Sequence, residues 1–215
     1  IGISSALALQ KEGFRVTVVD REKPGRSCSF GNAGAISPSS ALPNSLPGMM
    51  FKVPGWLFRE DGPLFIQWQY FPKLIPWLIR FLNSANWDKV DETTSSLLTL
   101  HASCFRLYQD LVKEIGAEDL IVESPVINLY KKEEDFKSAL SFWKILKDKG
   151  IEYEELDEPL VRENEPNLSS DYQFGVLFRN SGFSSNPFRL VEKMSERFLS
   201  DGGDFIHEYV QNIKS

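Results

Sequence analysis

The first twenty residues constrain the fold more than any other stretch. A helical pattern opens at Gly2 and stops at Gly13, with Ile3, Ala6, Leu7 and Gln10 on one face. It runs straight into Phe14-Arg15-Val16-Thr17-Val18-Val19-Asp20, a β-branched run that reads as a mostly buried strand closing on an acid. A helix opening on glycine, then a strand ending on a carboxylate, matches the second half of a dinucleotide-binding unit. The glycine there lets helix and strand pack closely, and the acid accepts hydrogen bonds from ribose hydroxyls. An ordinary helix–strand pair with a surface Asp meets the same pattern, so residues 1–20 alone leave both readings open. Gly2 and Asp20 are the first candidate residues. The chain begins without Met or a basic leader, so the expectation is a fragment lacking the first strand and the two phosphate-facing glycines.

Residues 21–48 are rich in Gly, Ser, Pro and Asn and read as one long loop. Loops of that length inside compact domains are usually functional or disordered. Its centre is Ser27-Cys28-Ser29-Phe30-Gly31-Asn32-Ala33-Gly34-Ala35-Ile36-Ser37-Pro38. Small residues let backbone N–H groups approach an anion or a flat ring without obstruction. Ser29 and Asn32 suit a pyrophosphate and Ala33-Gly34-Ala35 a flat ring. A flexible surface loop is the plain alternative.

The rest of the chain alternates helices and strands. Residues 49–82 are apolar and aromatic, with Trp56, Trp68 and Trp77 and, just beyond, Trp87. Pro54, Pro63, Pro72 and Pro76 are expected to break this stretch into short helical pieces. Its aromatics read first as packing within the protein and second as contact with a membrane or a quinone. One helix is expected over 88–115, strands near 120–130, a helix over 133–149 and a strand over 151–156. A short helical turn follows near 159–166, then a strand over 172–178. Residues 181–187 read as a turn, with Asn186 capping a helix that starts at Pro187 and runs to about Leu199. A last strand is expected from Asp204 to Val210. This order is α/β or α+β, with the first and last pieces able to share one sheet.

The net charge is −6 and no Lys/Arg block stands out, which argues against a nucleic-acid partner. Cys28, Cys104, His101 and His207 are isolated from one another, so no metal site is expected. No run approaches the roughly 18 apolar residues of a membrane span.

The loop residues carry a resemblance. The stretch VTVVDRE, a Pro-Gly, and then SFGNAGAISPS resembles the corresponding region of bacterial D-amino-acid dehydrogenases, within the wider D-amino-acid oxidase and glycine oxidase family. The pattern SxxNAGxISP, from Ser29 to Pro38, is similar to the dehydrogenase branch in particular. Similarity continues through LPGMMFKVPGWLFREDGPL, more loosely through FKSALSFWKILKDKGIEYEELD, and into GGDFIHEYVQNI. The resemblance thus extends over nearly the whole chain but only about the first half of a family member.

The resemblance implies an α/β fold: an incomplete Rossmann-like FAD-binding domain from residues 1–48 and 168–215, with an inserted α+β substrate domain at 49–167. It implies FAD as cofactor. Gly2 would be the last glycine of the fingerprint, and Asp20, with Arg21 beside it, would hold the adenosine ribose. Ser29, Asn32, Ala33, Gly34 and Ile36 would line the pyrophosphate and isoalloxazine, and Val210 would offer its backbone to the adenine from the last strand. The implied reaction is oxidation of a D-amino acid such as D-alanine to a 2-oxo acid and ammonia. Electrons would pass to a quinone-linked or membrane-surface acceptor, in the cytoplasm or peripherally on the inner face of the plasma membrane. D-hydroxyproline or sarcosine/glycine-type enzymes, and a non-catalytic flavoprotein chain, are the alternatives. The catalytic and substrate-carboxylate residues are expected beyond residue 215.

Overall fold

The computed structural model describes residues 1–48, 51, 53, 55 and 67–212. In chain order the described elements are α1 (Gly2–Lys11), β1 (Thr17–Asp20), β2 (Ala35–Ile36), α2 (Phe71–Asn83), α3 (Trp87–His101), α4 (Cys104–Ile115), β3 (Ile121–Glu123), β4 (Val126–Tyr130), α5 (Glu133–Asp148), β5 (Glu154–Leu156), α6 (Glu158–Asn164), β6 (Phe174–Phe178), β7 (Gly182–Ser184), α7 (Pro187–Ser200) and β8 (Asp204–His207). Single 3-10 turns lie at Pro38–Ala41 and Glu118–Leu120. The chain forms two compact units: Ile1–Ser37 with Cys104–Val126 and Arg179–Ser215, and Pro38–Ser103 with Ile127–Phe178.

In the first unit the i, i+3, i+4 spacing of Ile3, Ala6 and Leu7 puts all three on the buried face of α1. They pack with Leu190, Met194 and Phe198 of α7 and Val112 of α4, with Val16 and Val18 at the margin. Burying side chains of this size contributes about 1.5–3 kcal/mol each. Gln10 completes the face, its amide donating to the Phe198 carbonyl at 3.0 Å. Gly13, at φ 86°, turns the chain out of the helix. The strand after it is shorter and less buried than expected: it starts at Thr17, and Val19 is 41% exposed. Only alternate residues, Val16 and Val18, reach the apolar cluster formed with α1 and α7.

β1 pairs in parallel with β8, Asp20 opposite His207. The last strand ends there and does not run to Val210. The Glu208 N–H donates to the Asp20 carbonyl at 3.0 Å and to the Ile206 carbonyl at 3.1 Å. The second of these closes a three-residue turn that takes the chain off the sheet. Residues 182–184, expected as part of a turn, form the central strand of a three-stranded sheet in the order β2-β7-β3. Both neighbours run antiparallel to β7. A Cβ at Gly182 would overlap the Phe105 ring and the Val122 carbonyl, so glycine is required for that strand to sit where it does. Asn186 caps α7 as expected, accepting from the Arg189 N–H at 3.0 Å.

The helix expected over 88–115 is two helices, α3 and α4, separated by Ala102 and Ser103. The helical periodicity continues across the break, but the two halves face different cores. Leu97 and Leu98 pack in the second unit, and Val112 in the first.

The second unit has a three-stranded sheet in the order β4-β6-β5, with β5 antiparallel to β6. β6 is buried from Gly175 to Phe178. Val176 and Phe178 join Ala41 and Leu146 in one cluster, while Leu177 joins Leu156 and Val161 in another. The alternation along β6 therefore feeds two opposite apolar layers. β5 starts at Glu154 and not at Ile151, because the Ile151 N–H is used to close α5 on the Leu146 carbonyl at 2.9 Å.

α2 departs from expectation twice. Pro72 and Pro76 do not divide it: Pro72 lies in its first turn and Pro76 inside it. The missing Pro76 donor leaves one carbonyl, that of exposed Pro72, without its helical bond. Nor are the tryptophans in and beside it buried: Trp68, Trp77 and Trp87 are 71%, 55% and 52% exposed, each with one face against a neighbouring ring, Phe71, Phe81 and Phe142. Trp56, Pro54, Pro63 and most of the family-like stretch 46–64 lie outside the described residues.

Candidate functional site

All nine candidate residues fall in the first unit. Gly2 opens α1, whose N-cap, Ile1, provides no side-chain hydrogen bond and whose first turn holds no acid. A Cβ at Gly2 would meet nothing within 4 Å. The first N–H groups of α1 have no partner within the helix, and they are the donor set that an anionic group uses.

Asp20 and Arg21 sit at the C-terminal end of the parallel pair, where α/β sheets place ligands. The Asp20 Oδ1 accepts from the Glu22 N–H at 2.9 Å, which orients the carboxylate from its own loop. His207 Nε2 lies 2.7 Å from the Arg21 carbonyl oxygen, to which it donates in the Nε2–H tautomer. His207 thereby ties the end of β8 to the turn after β1. The sequence offered no signal for this, because the pair depends on strand register.

Asn32 and Gly34 form the second part. The Asn32 amide Nδ2 donates to the Cys28 carbonyl at 3.1 Å, and its Oδ1 accepts from the Gly34 N–H at 2.9 Å. One side chain therefore closes the loop on both sides, an Asx-type turn. Gly34 takes φ 67°, and a Cβ there would lie 2.6 Å from the Ser184 carbonyl oxygen. The Ser184 N–H in turn donates to the Gly34 carbonyl at 2.9 Å. Only glycine satisfies both the left-handed backbone and this approach. Beyond it Ala35 and Ile36 pair with Phe183 and Gly182, and Ile36 is buried.

Ser29 lies half-buried in the same loop, and Ala33 is exposed. The loop is therefore held in place by Asn32 on itself and by β2 on β7, unlike the flexible surface loop that was its plain alternative. Gly34, the exposed Ala33 and the first turn of α1 supply what a dinucleotide with a flat ring requires: anion donors and backbone free of side chains. The residues present fit such a group. Val210 stands apart, 51% exposed beyond the end of β8. Ser184, at the centre of the anchoring, was not singled out in sequence; its Gly-Phe-Ser strand is too short and too turn-like to show.

In the second unit a cleft of about 830 Å³ is lined by Leu42, Leu46, Leu97, Tyr130, Asp135 and Trp143, among others. The Trp143 indole N–H donates to the Tyr130 hydroxyl at 2.8 Å. Burial pushes the Tyr130 phenol above its ordinary range, partly offset by that donated bond. Among the described residues, no group of three or more His, Cys, Asp or Glu side chains is arranged to hold a metal.

Comparison with known proteins gives a consistent result. The model of the FAD dependent oxidoreductase (DAO) family matches residues 1–215. A D-amino-acid oxidase of Bradyrhizobium diazoefficiens is 34% identical over 218 residues, covering 100% of this chain and 51% of the relative. A D-amino acid dehydrogenase of Dechloromonas aromatica is 31% identical over 208 residues, 95% of this chain and 50% of its own length. The chain spans about half the length of the curated relatives it matches. Among solved structures, glycine oxidase from Bacillus cereus superposes with a TM-score of 0.56 at 16% identity, over 96% of this chain and 43% of that one. L-amino acid deaminase from Proteus myxofaciens does so with a TM-score of 0.60 at 12% identity, over 95% and 35%. These structural likenesses establish an α/β fold shared over roughly two fifths of those chains.

Proposed function

The chain belongs to the family of FAD-dependent oxidoreductases, and from that premise we propose that it forms part of a D-amino-acid dehydrogenase. The observation that carries this reading is the similarity to a D-amino-acid oxidase along the whole chain, 34% identical over 218 residues. The loop from Ser29 to Pro38 favours the dehydrogenase branch. The substrate would be a D-amino acid such as D-alanine, converted to an imino acid that water hydrolyses to a 2-oxo acid and ammonia. Electrons would leave to a quinone-linked acceptor, with the protein in the cytoplasm or peripheral on the inner face of the plasma membrane.

The flavin-binding role is assigned to the unit that contains α1, β1 and β8, and the substrate-binding role to the unit built on β4-β6-β5. FAD supplies the redox chemistry when bound, accepting a hydride equivalent from the substrate α-carbon. This chain's residues bind and orient. The Asp20 carboxylate accepts from the ribose hydroxyls, with Arg21 beside it. The N–H groups opening α1 at Gly2 would hold the pyrophosphate. Ser29 and Asn32 contribute polar groups to the same anion, and Ala33, Gly34 and Ile36 give the ring a backbone surface free of bulky side chains. Val210 offers its backbone to the adenine.

Asp20→Ala should weaken FAD retention by about 1–3 kcal/mol, the range for losing a charged hydrogen bond. Titrating FAD into the apoprotein measures this directly. Affinity equal to wild type would remove Asp20 from the ribose site. The activity itself is tested by reduction of a quinone-like dye by the purified flavoprotein with D-alanine, L-alanine, D-proline or sarcosine. Turnover with D-alanine and not L-alanine is the expected result. Turnover with sarcosine or a proline derivative alone would move the function to the sarcosine/glycine or D-hydroxyproline branch, and none with any substrate would favour a non-catalytic flavoprotein.

A further inference from the structure

We propose that His207 is a positioning residue for the ribose-binding carboxylate: it orients Asp20 through a single peptide group. The Asp20 Oδ1 accepts from the Glu22 N–H at 2.9 Å, and His207 Nε2 lies 2.7 Å from the Arg21 carbonyl oxygen. That N–H and that carbonyl belong to one peptide unit, the one joining Arg21 to Glu22. A carbonyl oxygen has no proton to give, so His207 is the donor and its Nε2 carries the hydrogen. A planar trans peptide points its C=O and its N–H in opposite directions. His207 therefore holds one side of the unit and the Asp20 carboxylate is held by the other. The proposal rests on the assignment of Asp20 to the adenosine ribose and names the residue that prepares that carboxylate.

The backbone alone does not orient this turn. Asp20 and His207 are opposite one another at the ends of the parallel strands β1 and β8. The Glu208 N–H donates to the Asp20 carbonyl at 3.0 Å, which fixes the peptide joining Asp20 to Arg21. Any residue at 208 other than proline could supply that bond, because it comes from the main chain. The next peptide lies beyond the last strand pair, and the imidazole reaches it from a residue 186 positions along the chain. Without that donor the peptide can rotate about the flanking Arg21 ψ and Glu22 φ. Rotation swings its N–H away from Oδ1 and turns a carbonyl dipole toward the carboxylate. With the peptide held, Oδ1 is engaged and Oδ2 remains for a ribose hydroxyl. Donation to the carbonyl also polarises the same peptide, which strengthens its N–H as a donor to Asp20. Asp20, Arg21, Glu22 and His207 are all exposed, so substitutions there leave the apolar core intact.

Two measurements on the apoprotein test the relay. In amide NMR spectra, Asp20→Ala removes the acceptor of the Glu22 N–H and should displace its resonance. His207→Leu should displace the same resonance, and His207→Asn, whose amide falls short of the Nε2 position, should do so too. His207→Gln places an N–H where the imidazole had one and should leave the resonance in place. Titration with FAD should show His207→Leu binding about three- to ten-fold more weakly, the net worth of one hydrogen bond, with His207→Gln close to wild type. In an Asp20→Ala background, His207→Leu should cost less than about two-fold further, because its effect passes through that carboxylate. A Glu22 resonance unmoved in both His207→Leu and His207→Asn overturns the proposal, as does full additivity of the Asp20 and His207 losses. A loss in His207→Gln equal to that in His207→Leu does the same. If Asp20→Ala weakens FAD binding and His207→Leu does not, the proposal alone falls. If neither weakens it, the ribose assignment falls as well.

Discussion

Gly34→Ala should yield a protein that folds poorly around the loop and retains FAD at least about ten-fold less well, equivalent to about 1.4 kcal/mol or more. Two costs add at this position. The first is the backbone: φ of 67° puts an alanine in the left-handed region, at about 1–2 kcal/mol. The second is contact, since the new Cβ would lie 2.6 Å from the Ser184 carbonyl oxygen and 3.0 Å from the Pro187 ring. The carbonyl belongs to β7, which is held between β2 and β3, so it has little freedom to move aside. The loop must yield instead. That would strain the Ser184 N–H bond to the Gly34 carbonyl and the Asn32 Oδ1 bond to the Gly34 N–H. Overpacking of this kind costs about 1–3 kcal/mol. Gly31→Ala is the control: it also has positive φ, 74°, but its Cβ would meet nothing within 4 Å. It should show the backbone cost alone. FAD content after gel filtration and the thermal midpoint of the apoprotein separate the two effects. Equal behaviour of the two variants would mean that the close approach of Gly34 to β7 is not what shapes the loop.

Phe178→Ala should cost about 3–5 kcal/mol of stability, the range for emptying a fully buried aromatic site. Phe178 is 1% exposed at the end of β6. Its ring lies edge-on to Trp143 with centroids 5.2 Å apart and tilted against Tyr153 at 5.9 Å. Removing it leaves those two rings without a shared partner in the layer that also holds Leu146 and Val176. Domains are stable by about 5–15 kcal/mol in all, so this one loss is a large part of the total. The matched comparison is Phe183→Ala in β7, where the ring is 38% exposed and about 1 kcal/mol is expected. Urea denaturation of both variants measures the difference. A Phe178→Ala loss no larger than that of Phe183→Ala would contradict the assignment of β6 as the centre of the second unit.

Much of this protein was legible from local sequence. The Ile3, Ala6, Leu7 and Gln10 face of α1 needs only its spacing, because the helical period alone sets which side chains line up. The cap at Asn186 and the stop at Gly13 likewise rest on chemistry within a few residues. The loop from Ser29 to Pro38 could be recognised because its residue pattern resembles that of a known family, while the reason for Gly34 lies in the approach of Ser184. The limits of such reading appear where a pattern carries no direction. The helical period from 88 to 115 is real, yet it does not reveal that its two halves turn to different cores. Exposure on α2 was misjudged for the same reason: tryptophan and proline content says nothing about what lies opposite.

The sequence by itself determined α1, α5 and α7, with the stop at Gly13 and the cap at Asn186, since each follows from propensity, spacing or steric limits inside one short segment. Only the tertiary structure decided that Gly182-Phe183-Ser184 is a strand, that β8 stops at His207, and that His207 reaches the Arg21 carbonyl. Those features depend on hydrogen bonds to residues far along the chain. A short strand has no stability of its own and exists only where its neighbours supply donors and acceptors.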